Sequence, residues 1–233
     1  MTGGLPEHEG MADGSTGNPA GPPRRVFAGG TSIELLRGPG WAWIGLSSGD
    51  GLNRLRTETL EALDRLFIDL RWSGVLKVAL SSAHWMEGRP GNLSAGADLH
   101  QVGSLDPVDA DPFSRRGQRV MSHLLWPGWV SLTVVSGVAM GGGCDLAFHG
   151  QARWGVRGLK MAHPAARHGI LTGFGGTSRL PEVLGDGGAD RLFTGFEHWG
   201  PDQALEAGAV EALLEPGEVR SRVLDWLRAP WSG

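Results

Sequence analysis

The chain has 233 residues, a formal net charge of −4, 40% hydrophobic residues and 20% charged residues. This length can bury a substantial core and the composition is that of an ordinary globular protein, whereas nucleic-acid binding usually needs a basic face that this charge does not indicate. No apolar run reaches the roughly 18 residues that span a bilayer, and the single cysteine, Cys144, excludes an internal disulfide framework and favours a reducing cytoplasm.

The N-terminal part of the chain is rich in glycine and proline and has no apolar core. A segment of this composition cannot bury enough apolar surface to offset the entropy of ordering it. We therefore expect residues 1–28 to form a disordered tail that takes no part in the chemistry. The lack of an apolar core also argues against a secretory signal.

Beyond the tail, short apolar runs that suit buried strands alternate with segments of helical periodicity. This alternation predicts an α/β fold with a mostly parallel sheet, and no internal repeat is found. The predicted strands are 31–37, 41–48, 75–80, 130–135 and 152–156, and the predicted helices are 55–70, 112–125, 142–148, 202–206 and 218–227, with a further helix starting at 178–184.

Two glycine-bracketed segments follow apolar runs: residues 94–98 (Ser-Ala-Gly-Ala-Asp) and residues 137–145 (Gly-Val-Ala-Met-Gly-Gly-Gly-Cys-Asp). Glycine lets a ligand approach the backbone, and the helix after the second segment would present free N–H groups at its positive end. Three interpretations compete: helix–sheet packing, phosphate binding, and an oxyanion hole for a thioester oxygen. Phosphate binding is weak because neither G-x-G-x-x-G nor a Walker lysine is present. Glycine spacing alone favours packing.

A third segment, residues 173–181 (Gly-Phe-Gly-Gly-Thr-Ser-Arg-Leu-Pro), follows the first two. Together and in this order, the three segments resemble the enoyl-CoA hydratase/isomerase (crotonase) superfamily. Weaker matches in the same order lie at 50–53, 192–195 and 204–210, so the resemblance covers about residues 32–216.

The resemblance implies a crotonase-like α/β spiral of stacked ββα turns over residues 29–216, assembled as a homotrimer or hexamer. Relatives continue for several helices beyond the position of Pro216, whereas here only a short C-terminal helix is expected over residues 217–233. The resemblance therefore implies a shortened C-terminal helical part.

The resemblance also implies a CoA thioester as substrate, with no metal and no resident cofactor. Its carbonyl oxygen would lie between the peptide N–H groups of Ala97 and Gly142. The family usually has basic residues, which help to hold the CoA phosphates, at the positions of Asp50 and His100, so weaker CoA affinity or a carrier-protein thioester stays open. The implied CoA-contact residues are Gly51, Leu52, Ser94, Ala95, Gly96 and Asp98.

Two positions depart from the family's hydratases, which use two glutamates to activate water and deliver its proton. The first glutamate corresponds to Asp145, whose carboxylate reaches one methylene less far. The second aligns with Ala165, which cannot transfer a proton. This departure argues against water addition by the two-carboxylate route and against simple double-bond migration.

Four side chains remain as candidates near the implied pocket. Asp145 is the preferred proton-transfer group, although it could instead cap the helix in whose first turn it lies. His163 and His168 could act as acid or base near neutral pH, and Arg167 could hold a substrate carboxylate. A lone His or Arg in a loop is, however, more often a surface or packing residue than a catalyst. Cys144 is expected to be a packed helix residue because no neighbour activates it.

These observations predict an acyl-CoA enzyme, a lyase or isomerase, that works through an enolate stabilised by an oxyanion hole. Decarboxylation of a malonyl-type thioester is an alternative, because loss of CO2 makes the enolate directly and needs no strong base. A non-catalytic acyl-CoA-binding or partner subunit is a second alternative, which Ala165 and the short C-terminal part motivate. A dinucleotide-binding module is a distant third.

Overall fold

The computed structural model describes residues 24–230, so residues 1–23 of the expected tail and residues 231–233 lie outside the described part. The expectation that residues 24–28 belong to a disordered tail is wrong, because they form a strand, Arg24–Ala28. This strand pairs antiparallel with the next one across the turn at Gly29 and Gly30, both of which have positive φ. Two successive glycines suit a two-residue hairpin turn, which explains why the chain is ordered earlier than its composition indicates.

Within residues 24–230 there are ten strands in two sheets. The larger sheet has the order β1-β2-β3-β4-β5-β7-β10, in which β1, β2 and β3 pair antiparallel and all later neighbours pair parallel; the smaller sheet has the order β6-β8-β9. The strands are β1 (Arg24–Ala28), β2 (Thr31–Gly38), β3 (Trp41–Ser48), β4 (Lys77–Ser82), β5 (Val130–Val135), β6 (Val138–Met140), β7 (Ala152–Val156), β8 (Lys160–Ala162), β9 (His198–Trp199) and β10 (Ala212–Leu214).

The same range contains seven α-helices and three short 3₁₀ turns. The expected α/β fold with a mostly parallel sheet is therefore confirmed. The helices are α1 (Thr57–Arg71), α2 (Leu99–Ser104), α3 (Pro107–Leu124), α4 (Gly142–His149), α5 (Gly176–Phe193), α6 (Pro201–Glu206) and α7 (Val219–Arg228), and the 3₁₀ turns are Ala83–Glu87, Pro164–His168 and Pro216–Glu218.

Helix α3 starts five residues earlier than its predicted start at Pro112. The Asp106 carboxylate accepts hydrogen bonds from the N–H groups of Val108 and Asp109, and Pro107 occupies the first turn. A capping aspartate followed by proline is a strong start signal, so Pro112 lies inside the helix rather than at its beginning.

The core lies on both faces of the large sheet. On one face α1 packs against α3, α3 against α4, and α4 against α5, around buried residues such as Leu63, Phe67 and Phe148. On the other face α7 packs against β3 and β4 around Trp43 and Trp85. Among residues 24–230, no helix combines the length and the apolar character needed to cross a membrane.

Candidate active site

The two glycine segments lie side by side in the structure. The Ser94 N–H donates to the carbonyl oxygen of Val138 (3.1 Å), and the Met140 N–H donates to the Ser94 carbonyl oxygen (3.0 Å). On its other side the first segment meets the loop after β3, since the Ala95 N–H donates to the Leu52 carbonyl oxygen (2.8 Å). Three successive loops are thus joined at one end of the parallel strands.

Gly96 and Gly142 allow the two segments to approach closely. Gly96 has φ +88°, and a Cβ there would lie 2.7 Å from the Gly142 nitrogen and closer still to the Met140 carbonyl oxygen. A Cβ on Gly142 would lie 3.3 Å from the Ala97 nitrogen. Neither the Ala97 N–H nor the Gly142 N–H donates a hydrogen bond to another group of residues 24–230, and Gly142 is the first residue of α4. Two unused backbone donors are therefore neighbours in space.

A cavity of about 400 Å³ adjoins these two donors. Ala97 and Gly142 contribute to its wall, and most of the remaining lining is apolar, including Leu99, Phe113 and Phe174. The rings of Phe113 and Phe174 are 5.3 Å apart, which connects α3 to the loop before α5. An apolar wall with few polar groups beside it is the usual form of a small-molecule site.

Asp145 does not line this cavity. Its side chain is fully buried in α4, where Oδ1 lies 3.0 Å from Nε2 of His163 and Oδ2 accepts a hydrogen bond from the Thr172 hydroxyl. Both His163 and Thr172 do line the cavity. The preferred proton-transfer residue therefore meets the cavity through two other side chains.

His163 is the one ionisable residue in the lining of the cavity within residues 24–230. It is 1% exposed, its ring lies edge-on to Phe193 at 4.6 Å, and its Nδ1 atom has no hydrogen-bond partner in the described residues. Ala165, which the sequence resemblance aligns with the second glutamate of the family's hydratases, also lines the cavity. The cavity thus has His163 in its lining, whereas the preferred acid/base group, the Asp145 carboxylate, does not line it.

The structure does not bring Arg167 to the cavity. This arginine is exposed, and its guanidinium lies 4.6 Å from the centre of the Phe196 ring. It therefore does not occupy the place expected for a residue that binds a substrate carboxylate in this cavity. His168 ends the 3₁₀ turn Pro164–His168, and its side chain lies outside the described part of the structure.

Asp98 was an expected CoA contact, but its carboxylate caps helix α2. Its Oδ1 accepts from the N–H groups of His100 and Gln101 at the start of α2, and its Oδ2 lies 2.7 Å from Nη2 of Arg56. Burial would raise the pKa of the Asp98 carboxyl, but the Arg56 hydrogen bond and the two backbone amides hold the pKa below its usual range. This carboxylate is fully engaged by its protein partners.

The other expected CoA contacts lie together at the loop interface. Asn53, with φ 48°, donates from its amide to the Asn92 carbonyl oxygen (2.7 Å), and Asn92 donates to the Gly51 carbonyl oxygen (2.8 Å). These bonds fix the loop after β3 against the first glycine segment, residues 94–98. The expected CoA-contact residues in this interface are Gly51, Leu52, Ser94, Ala95 and Gly96.

A second, more polar cavity of about 270 Å³ lies beside the loop after β3, and its lining includes Asp50, Arg54 and Arg56. Hydrogen bonds from the Leu52 N–H, the Ser48 hydroxyl and Arg54 hold the pKa of Asp50 well below its usual range. Asp50 is therefore a carboxylate paired with Arg54, at a position where the sequence resemblance leads one to expect a basic residue.

Two further groups around Asp145 have altered proton affinity. Complete burial raises the pKa of the Cys144 thiol well above its usual value, as expected for a packed residue. Burial also lowers the pKa of His149, whose Nδ1 lies 2.7 Å from the Asp145 carbonyl oxygen. Among the described residues, no cluster of three His, Cys, Asp or Glu side chains is arranged to hold a metal ion.

Sequence reasoning missed Thr172 and Phe174 as parts of the site. Both immediately adjoin Gly173 in the third matching segment, so their position next to that segment was the available signal. What the sequence could not show is that Thr172 meets a carboxylate 27 residues earlier in the chain.

Residues 42–230 match the model of the enoyl-CoA hydratase/isomerase family. The chain is 31% identical over 169 residues to a short-chain-enoyl-CoA hydratase of Clostridium acetobutylicum, covering 72% of this chain and 63% of that protein. It is 33% identical over 129 residues to a crotonyl-CoA hydratase of Syntrophomonas wolfei, covering 55% of this chain and 50% of that protein. The chain thus spans between half and two thirds of the length of these relatives.

Solved structures give the same result for the fold. Pseudomonas aeruginosa DspI superimposes with a TM-score of 0.76 at 28% identity, covering 84% of this chain and 72% of that one. An enoyl-CoA hydratase of Geobacillus kaustophilus superimposes with a TM-score of 0.78 at 24% identity, covering 88% and 76%. The expected crotonase fold is confirmed by these likenesses.

Proposed function

The chain belongs to the enoyl-CoA hydratase/isomerase family, and we propose that it binds an acyl-CoA thioester and stabilises its enolate through the peptide N–H groups of Ala97 and Gly142. The observation that carries the proposal is the contact between the two glycine segments, which leaves these two donors unused and adjacent beside an apolar cavity. Negative charge develops on the thioester oxygen when an enolate forms. Each donor held at that oxygen lowers the barrier by about 3 kcal/mol.

The proposed ligand places its thioester at the two donors and its acyl chain in the cavity. Apolar side chains such as Leu99 and Phe113 suit a hydrocarbon chain. Arg54 and Arg56 line the polar cavity beside the loop after β3, near the proposed CoA path, where each is paired with an aspartate. The proposed chemistry needs no metal and no resident cofactor. The relatives are named for short enoyl-CoA hydration, so crotonyl-CoA is the first thioester to test.

Proton transfer in this proposal falls to the hydrogen-bonded pair of Asp145 and His163. The pair lies against the cavity, whereas the position of the family's second glutamate is Ala165. With one proton-transfer unit, the enzyme would form and reprotonate the enolate without a second carboxylate. The class proposed is accordingly a lyase or isomerase whose mechanism differs from the two-glutamate route.

Decarboxylation of a malonyl-type thioester is the second candidate. It is favoured by the absence of any carboxylate from the cavity lining in the described part of the chain, since loss of CO2 creates the enolate without a strong base. The exposed position of Arg167 weighs against this candidate, because that arginine was the expected partner of the departing carboxylate.

The decisive experiment uses the purified chain and three thioesters. Hydration of crotonyl-CoA, exchange of the C2 protons of butyryl-CoA in D2O followed by NMR, and CO2 release from methylmalonyl-CoA are measured in parallel. Exchange or hydration supports the enolate proposal, and CO2 release alone supports the second candidate. Tight binding of all three thioesters without turnover would leave an acyl-CoA-binding subunit, and an absence of binding would refute the proposal.

We further propose that the chain forms a homotrimer or hexamer in the cytoplasm, on the strength of the family and of the lone, buried Cys144. Light scattering coupled to size exclusion should report three or six chains per particle. A monomer in this experiment would contradict the assembly.

A further inference from the structure

The structure contains two buried histidine–aspartate pairs with closely similar geometry. Nε2 of His163 lies 3.0 Å from Oδ1 of Asp145, and Nε2 of His123 lies 2.8 Å from Oδ1 of Asp64. Both histidines are almost completely buried, and in each of them the Nδ1 atom is itself buried and has no hydrogen-bond partner in residues 24–230. Pair geometry alone therefore does not identify a catalytic group.

What separates the pairs is their surroundings. His123 stacks on Phe67 in the α1–α3 interface and does not line the 400 Å³ cavity. His163 lines that cavity, whose wall also holds the two proposed N–H donors of Ala97 and Gly142. We propose that Nδ1 of His163 is the atom that takes and returns the substrate proton, and that Asp145 is a positioning residue that acts through it. This inference rests on the proposed function.

The tautomer of His163 follows from its partner. A carboxylate only accepts hydrogen bonds, so Nε2 carries the proton that is donated to Asp145 and the neutral ring has its lone pair on Nδ1. Thr172 donates to the other oxygen of the same carboxylate. This leaves the Asp145 carboxylate with a hydrogen bond on each oxygen, and it fixes the imidazole in the form that can accept a proton at Nδ1.

The proposed step can be balanced atom by atom. The Nδ1 lone pair takes a proton from C2 of the acyl thioester, the C–H bonding pair becomes the C1–C2 double bond, and the carbonyl π pair moves onto the oxygen held by the two N–H groups. Return of the proton from Nδ1 to C2 reverses each of these movements. In D2O the proton on Nδ1 is replaced by deuterium, so C2 becomes labelled.

The test measures deuterium exchange at C2 of butyryl-CoA. His163→Ala should lower the exchange rate by about 10²- to 10⁴-fold, the usual contribution of a general acid–base group. Added imidazole should restore a substantial part of the rate, because the deleted ring leaves space beside Asp145. His123→Ala is the matched control: it removes a histidine of equal burial, and its rate should stay within about threefold of wild type.

A double-variant cycle tests the role of Asp145. Asp145→Asn should slow exchange on its own, since an amide can donate to Nε2 and favour the wrong tautomer, while the KM for butyryl-CoA stays unchanged. In the His163→Ala background the same substitution should cost nothing further, because a residue that acts only through His163 has nothing left to position. A further loss in the double variant would show that Asp145 meets the substrate directly and would overturn the inference.

The outcomes also separate the inference from the function on which it rests. Wild-type exchange together with an unchanged rate in His163→Ala, or with no imidazole rescue, would refute the role of His163 and leave the oxyanion proposal intact. If the wild type shows neither exchange nor, in calorimetry, binding of butyryl-CoA, both the role of His163 and the proposed function would be refuted. Unfolding free energies of all variants, measured by denaturant titration, identify any loss that comes from misfolding.

Discussion

Substitutions at Gly142 can isolate a single backbone donor. Proline removes the N–H that we propose to hold the thioester oxygen, and alanine keeps it. Either residue adds a Cβ that would lie 2.8 Å from Cδ2 of Phe174 and 3.3 Å from the Ala97 nitrogen. Gly142 is the first residue of α4, a position where proline is well tolerated because its missing N–H has no intrahelical partner. The two variants therefore share the steric effect of the Cβ, and proline in addition replaces the N–H by a ring methylene.

The expected magnitude follows from these contacts. Crowding Phe174 should lower the free energy of unfolding of both variants by about 1–3 kcal/mol. Loss of one oxyanion donor lowers kcat by about 10²–10³, or about 3–4 kcal/mol in the barrier. Gly142→Pro should thus exchange the C2 protons of butyryl-CoA at least ~100-fold more slowly than Gly142→Ala, while the unfolding free energies of the two differ by less than about 1 kcal/mol.

The assay is the NMR exchange measurement in D2O, run on both variants at saturating butyryl-CoA. Denaturant titration of the same samples supplies the stability comparison. Equal exchange rates in the two variants, with both folded, would refute the assignment of the Gly142 N–H to the oxyanion hole. If both equal rates also lie far below that of the wild type, the loss would be assigned to the displaced Phe174 ring that the two variants share.

Three further predictions concern the supporting structure. Asp98→Ala should lower the free energy of unfolding by about 1–3 kcal/mol, more than Asp106→Ala, which removes an exposed helix cap. Because the folded-state pKa of Asp98 is depressed, this stabilisation is present above about pH 4 and is lost as the pH falls below it. Denaturant titrations at several pH values would measure both effects. Gly96→Ala should cost about 1–3 kcal/mol in backbone strain alone and abolish exchange, whereas Gly103→Ala, which meets no atom within 4 Å, should be neutral or slightly stabilising in the same titration. Cys144 should react with a thiol reagent only after unfolding, and rapid modification of the native protein would contradict its burial.

The parts of the fold that were predicted well are those whose signal is local. Strands β3, β5 and β7 have the bounds expected from their apolar runs, and α1 differs from its prediction by two residues at its start and one at its end. Long periodic or continuous apolar segments report burial directly, because each residue's environment follows from its own strand or helix.

The missed elements depend on distant partners. β6, β8 and β9 have two or three residues each, and they form a sheet only because residues 138–140, 160–162 and 198–199 meet in space. Helix α2 contains no buried residue in its six positions, so its signal is the Asp98 cap rather than an apolar face. Composition and periodicity carry no information about such pairings.

The candidate site also has parts with a local sequence signal and parts without one. The glycine segments were identifiable because close approach of two backbones requires residues without a Cβ, and Gly96 and Gly142 are such residues. The sequence could not show that His163 lines the cavity and Asp145 does not, because this depends on how two buried side chains are placed in the folded chain. Asp145 was the expected contact on the basis of position, but burial behind His163 is a tertiary property.

In the described part of the chain, the cavity lining has one ionisable residue, His163, and this restricts the chemistry that the cavity can support. In two-carboxylate hydration, one group takes a proton from water while another delivers a proton to C2. In the proposed mechanism, with Ala165 at the expected position of the second glutamate, both transfers would fall to His163, so the same imidazole would hold the proton that leaves and return it. Addition of water remains compatible with this rule only when the proton taken from water is the one delivered to C2. Reactions that need two groups in different protonation states at the same moment do not fit, whereas enolate formation and return, and protonation of an enolate left by CO2, require one group and one oxyanion hole.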